Sequence, residues 1–366
     1  MCIRDRSSAA DIAATVDGAP VDETLARYSD LLFGTAITVY VLAMVLFLGS
    51  LAAVRSRRLA DRALVGATVG ADAGRTADLR TPGKIEQARR RSLGEKLGNM
   101  AYPVVIVGLL AHVASIVTRG FATDRAPWGN MYEFISLTCA ACVIAGIVVL
   151  RKPEHRPLLS FVLLPVTLLM FIAGRWLYTQ AAPVVPALKS YWLAIHVSII
   201  SISSGVLLVS GVASLLYLIK MRWGAEVSAT KEPYSGEPYA DLVDGTGMKG
   251  IGGSLRRIVA HIPGADTLDR LAYKCVVFGF PLFGLGVICG AIWAEAAWGR
   301  FWGWDPKETV SFIAWVIYAA YLHARATAGW RNTAAAWINV AGFVALLFNL
   351  FIINLVVSGL HSYAGL

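Results

Sequence analysis

Eight runs of about 20 apolar residues, near 31–54, 100–118, 131–150, 157–174, 191–219, 273–294, 309–327 and 335–357, constrain this chain more than any other feature. Inside a bilayer each backbone N–H and C=O must be satisfied within the protein, and a helix satisfies its own. The expected fold is therefore all-α, a polytopic bundle of about eight transmembrane helices. Composition agrees: 57% of residues are hydrophobic and only 16% charged, whereas an ordinary soluble domain has roughly a quarter charged.

Lys and Arg are distributed unevenly between these runs. The connections 55–98, 151–157, 220–272 and 325–331 hold 23 of them, against nine in 1–30, 118–130, 174–190 and 294–308. The richer side is expected to face the cytoplasm, which places both termini outside. The chain then divides into four parts: a polar extracytoplasmic segment 1–30; helices one to five over 31–219, with a basic cytoplasmic loop 55–98; a cytoplasmic loop 220–272; and helices six to eight over 273–366, with an outward loop 295–308. The first 30 residues are polar and acidic, so no cleavable signal peptide is expected there. A net charge of +9 reads as a topology signal, not as a nucleic-acid footprint.

The outward loop concentrates chemistry. Trp298, Trp302 and Trp304 fall within seven residues that also contain Gly299 and Gly303, with Phe301 between them. One or two Trp would serve as interfacial anchors. Three at spacings of four and two display aromatic faces on several sides of a short turn, which suits a large, flat, apolar ligand. The loop ends in Asp305-Pro306-Lys307-Glu308, where Asp at N-cap, Pro at N1 and Glu at N3 predict a capped helix start. Asn130 and Glu133, spaced by three at the start of the third run, predict a second cap of the same kind.

Ionisable residues in or beside spans are functional candidates by default. His196 lies within two turns of the outer start of the fifth run, and His361 just beyond the outer end of the eighth. Both fall at the level of the tryptophan loop, where two imidazoles can ligate one iron from its two axial faces. His323 follows Glu308 by fifteen residues, about 22 Å farther along a helix and near the inner face. His112 is deeper and reads equally as a hydrogen-bonded buried residue or a ligand. Cys139 and Cys142, a C-x-x-C inside a span, read as small core residues.

The string WGRFWGWDPKE, residues 298–308, resembles the WWD signature of haem-handling membrane proteins. The whole chain resembles the CcsA/ResC-type component of the System II cytochrome c synthase, called CcsB in many actinobacteria. The likeness includes Pro127-Trp128-Gly129-Asn130-Met131-Tyr132-Glu133-Phe134, the approach Pro186-Ala187-Leu188-Lys189-Ser190-Tyr191-Trp192 to His196, and the surroundings of His323 and His361. The resemblance implies a haem lyase component in the bacterial cytoplasmic membrane, with haem b as transported substrate. His196 and His361 are then outer axial ligands, and His323 is an inner one that pairs with a histidine of a ResB-type subunit. Trp298, Gly299, Phe301, Trp302, Gly303, Trp304, Asp305 and Glu308 form the haem-binding loop, with Trp128, Asn130 and Glu133 as further outer-loop contacts. The other implied partners are apocytochrome c and a thioredoxin-like thiol reductant. Arg125, Arg175, Arg300 and Lys307 are the outward cations available to the propionates. No catalytic nucleophile is expected from this chain, because the apocytochrome supplies its own thiols. Two rival readings are haem delivery to a chaperone, as in the CcmC type, and a transporter without haem chemistry.

Overall fold

The computed structural model describes residues 21–71, 93–182, 190–229, 262–330, 332–357 and 359–360, and among these every long element is helical. Residues 1–20, the middle parts of the two large basic loops and His361 lie outside the described residues. Eight long helices follow one another: α1 Glu23–Ala71, α2 Leu93–Thr123, α3 Met131–Val149, α4 Leu159–Trp176, α5 Tyr191–Ala229, α6 Ala265–Trp298, α7 Pro306–Ala326 and α8 Thr333–Phe348. A short 3₁₀ turn, Arg156–Leu158, precedes α4, and α8 runs into a π turn, Asn349–Ile353.

Each expected span coincides with one helix, but several helices overrun it. α1 extends to Ala71 and α5 to Ala229, so part of what sequence reads as cytoplasmic loop is helical. Hydropathy marks where a chain leaves the bilayer, whereas a helix continues until its propensity or capping fails. The outward loop is shorter than 295–308 for the same reason. α6 continues through Trp298 and stops at Gly299, whose left-handed φ of 71° lets its N–H close on the Glu295 carbonyl at 2.8 Å.

Seven of the eight helices are long and apolar enough to cross a membrane. The remaining one, α7, spans 21 residues, but Trp315, Tyr318, Tyr321, His323 and Arg325 dilute its apolar content. Tyr318 and Tyr321 are buried, so α7 carries these two hydroxyls inside the bundle.

α1 packs chiefly on α2, α5 on α6, and α7 on α8. α3 and α5 meet backbone to backbone at Gly205, where an added Cβ would lie 2.6 Å from the Cys142 amide nitrogen. The four described cysteines are free and buried, as expected of core residues. A main apolar core joins α1 to α5 with the start of α6 and part of α8. A second joins α5, α6, α7 and α8 beneath the tryptophan loop.

Candidate functional site

α3 to α8 enclose a cavity with about 1470 Å³ of atom-free space, mouth included. Its wall is mostly apolar, with Phe134, Leu193, Ile200, Val287, Leu346 and Leu350 contributing. His196, Trp128, Asn130, Phe301, Trp302 and Glu308 also line it, so residues far apart in sequence converge on one volume. Trp128 Nε1, Thr138 Oγ1 and Asn349 Oδ1 lie on this lining, buried and without a hydrogen-bond partner among the described residues. Orphaned polar atoms in an apolar pocket are what a ligand with a few polar groups would satisfy.

α6 fixes the orientation of the His196 ring. Its Nδ1 lies 2.7 Å from the Gly286 carbonyl, which can only accept, so Nδ1 carries the proton. In the neutral ring Nε2 then keeps its lone pair. One turn farther along α6, Gly290 leaves room for the ring; a Cβ there would stand 2.6 Å from His196 Cε1. Trp293 stacks nearly parallel to the imidazole, with centroids 6.3 Å apart and planes 9° apart. A backbone partner on the second nitrogen is the usual device for orienting a metal-binding histidine.

The aromatic loop divides its labour. Trp298 belongs to α6 and packs edge-on against Trp293 at 4.8 Å, inside a small cluster with Leu193. Trp302 faces the cavity and meets Trp304 edge-on at 5.8 Å. Phe301 lies on the cavity lining yet is 59% exposed, while Trp304 lies off the lining and is 68% exposed. Trp304 adopts a φ of 57°, a conformation uncommon for a bulky side chain, immediately before the cap of α7. The expected capping box is present: Asp305 accepts from the Lys307 N–H, while Glu308 Oε2 accepts from the N–H groups of Asp305 and Gly303. Arg300 folds across Gly303, in the space a Cβ would need. Asp305 is 7% exposed, and its Oδ1 also accepts the N–H of Leu360 at 2.8 Å. The loop therefore holds the chain at the residue before His361.

The second cap is present only in part. Asn130 caps α3 by accepting the Glu133 N–H at 2.9 Å, but the Glu133 carboxylate does not return to Asn130. It accepts instead from the Gly129 N–H at 2.8 Å, from Arg119 Nε at 2.9 Å and from Arg125 Nη1 at 2.8 Å. Arg119, 2% exposed, also donates to the Thr179 carbonyl and lies 3.6 Å from Asp30. Two guanidiniums offset the buried carboxylate, which two side-chain neighbours of opposite sign require at this depth. Tyr178 donates to Asp30 at 2.6 Å, and burial followed by that carboxylate raises its hydroxyl above the ordinary range, so it remains a donor at neutral pH. The network ties α1, α2 and the segment after α4 to Gly129, and so fixes the Trp128-Gly129-Asn130 wall of the cavity.

Two other histidines lie away from this cavity. His112 is fully buried, with Nδ1 3.3 Å from the Tyr40 hydroxyl and Nε2 3.0 Å from the Ser136 hydroxyl. Both ring nitrogens are engaged, as in a satisfied buried residue. His323 is exposed in the last turn of α7, at the opposite end of that helix from Glu308. Beside it, Arg325 pairs with Asp269 at 2.6 Å and binds α7 to α6.

Among the four cations expected to face outward, only Lys307 lines the cavity. Arg125 is taken by Glu133, Arg300 lies over Gly303 and Arg175 is exposed. Sequence reasoning missed Trp293, Gly286 and Gly290, which orient His196, and Asn349 and Asn354, which open the π turn and follow it. The two asparagines had a signal, since amides inside an apolar run are unusual at membrane depth.

A polytopic helical membrane protein with a deep apolar cavity, an aromatic loop at its mouth and an oriented imidazole inside it is the class these features define. The chain belongs to the cytochrome c assembly protein family, whose model matches residues 128–361. It is similar to the "Cytochrome c biogenesis protein CcsA" of Gloeobacter violaceus, 34% identical over 310 residues that cover 76% of this chain and 89% of the relative. CcsA of Prochlorococcus marinus is 35% identical over 272 residues, 72% of this chain and 85% of the relative. That of Guillardia theta is 32% identical over 271 residues, 73% and 86%. The resemblance carried by the tryptophan signature therefore holds over most of the chain.

Proposed function

We propose that this protein holds haem b in the cavity beside the tryptophan loop, on the extracytoplasmic face, and presents it to apocytochrome c for covalent attachment. The observation that carries this reading is His196. Its Nδ1 is committed to Gly286, its Nε2 is the ligating nitrogen, and it lines the same apolar cavity as Trp128 and Trp302. His361 is the second axial ligand, a role supported by the Asp305 bond to its neighbour Leu360. Trp302, Phe301 and Trp128 grip the macrocycle, while the exposed Trp304 faces the incoming polypeptide.

Attachment adds each cysteine S–H of a Cys-x-x-Cys-His segment across a haem vinyl group. The sulfur bonds to one vinyl carbon and the proton goes to the other, while the substrate histidine replaces one axial ligand. This chain contributes position rather than a nucleophile. The exposure of His323 at the far end of α7 suits an inner haem site completed by a ResB-type subunit, and the synthase works as that complex.

The test is the absorption spectrum of the protein purified with its partner under haem-replete expression. The Soret band and pyridine haemochrome should be present, should fall severalfold in His196→Ala and should recover with added imidazole. A colourless wild-type preparation would sink the haem reading.

A further inference from the structure

On one side of the cavity, two α7 side chains are held by two asparagines from the end of α8. Lys307 and Ser311 stand four residues apart, on the same face of α7, and both line the cavity. The Lys307 ammonium donates to Asn354 Oδ1. The Asn354 amide is itself locked, donating to the carbonyls of Asn349 at 3.1 Å and Leu350 at 2.9 Å, which the π turn leaves available. One turn along α7, Ser311 Oγ accepts from Asn349 Nδ2 at 2.8 Å.

The donor inventory is informative. An ammonium has three N–H bonds, and the bond to Asn354 uses one. No carboxylate lies within 4 Å of the Lys307 ammonium among the described residues. The oxygens of Asp305 are occupied by the Lys307 and Leu360 N–H groups. Ser311, already an acceptor, retains its hydroxyl hydrogen and makes no other hydrogen bond among the described residues. Asp305 acts on this ammonium through space without touching it, and the Glu308 carboxylate is turned to the Gly303 and Asp305 N–H groups. The spare ammonium donors therefore still suit an anion entering the cavity, and a hydroxyl donor one turn away supplies a second contact on the same side.

We propose that Lys307 and Ser311, set by Asn354 and Asn349, form a carboxylate seat in the wall of the cavity that His196 also lines. On the haem reading above, the seat takes one propionate and fixes the in-plane rotation of the macrocycle, and with it the direction in which the vinyl groups face. The π turn is the structural element that makes the seat, because it brings Asn349 and Asn354 against α7 together. π turns recur at functional sites for this kind of re-aiming.

The experiment compares haem with its dimethyl ester, in which both propionates are capped, on the purified full-length protein in detergent. Wild type should bind haem about tenfold more tightly than the ester, the worth of a charge-assisted pair. Lys307→Gln should lose most of that difference by weakening haem alone, with ester affinity and Soret position unchanged because His196 still holds the iron. Ser311→Ala should lose a smaller part of it. Ester binding also reports that each variant is folded. If haem and ester bind alike in wild type, or Lys307→Gln weakens both equally, the seat is wrong while the haem reading stands. If neither ligand binds, the haem reading falls and the seat with it.

Discussion

His196 and His112 show how one residue type divides into two roles in the same bundle. His196 has one nitrogen spent on a backbone carbonyl and the other without a hydrogen-bond partner among the described residues, whereas His112 has both spent on hydroxyls. Replacing His112 by Ala would strand the Tyr40 and Ser136 hydroxyls, at a cost of roughly 1–3 kcal/mol for each group left unsatisfied. Thermal unfolding in detergent should drop accordingly, while the haem spectrum per folded molecule stays that of wild type. A lost Soret band with unchanged unfolding would instead make His112 a ligand. At this scale the sequence could mark which residue types to weigh and where along the apolar runs they fall. It did not announce Gly290 or Gly286, because the need for a missing Cβ or a bare carbonyl arises only when α5 and α6 are packed. Glu133 shows the same limit: spacing alone suggested a reciprocal cap, but two arginines from outside α3 compete for the carboxylate and win.

Among the elements, the start of α7 performs three tasks within four residues. Asp305 caps the helix, Glu308 closes the loop onto Gly303, and Asp305 also holds the chain at Leu360. The capping box was readable because it is local, a matter of spacing along one strand of sequence. The bond to Leu360 was not, since 55 residues separate the partners. Asp305→Ala should therefore produce two separable effects. Loss of the cap should cost about 1 kcal/mol, seen in thermal unfolding. Release of the segment before His361 should shift bound haem from a low-spin, two-histidine spectrum towards a high-spin, one-histidine spectrum, and imidazole should restore it. Destabilisation with an unchanged spectrum would show that the bond to Leu360 does not serve the second ligand.

For the whole molecule, the direction of the bundle follows from a chain of connections. Asn130 at the start of α3 and Phe301 in the tryptophan loop line one cavity, so they share one end of the bundle. α3 is 19 residues long, about 28 Å of helix, which puts exposed Lys152 at the other end. The surplus of Lys and Arg lies on the Lys152 side, and by the positive-inside tendency that side is expected to face the cytoplasm. This expectation rests on charge bias and span length, summed properties that are insensitive to how any two helices meet. Sequence could not read the cavity, which needs six helices in register. Single cysteines in a Cys2→Ser background, where the four remaining native thiols are buried, would test the orientation. Phe301→Cys should react with a membrane-impermeant maleimide on intact cells, and Lys152→Cys only after the membrane is opened. The reverse pattern would turn the bundle over. Haem would then be presented to the cytoplasm, and attachment to a client on the outer face would be excluded.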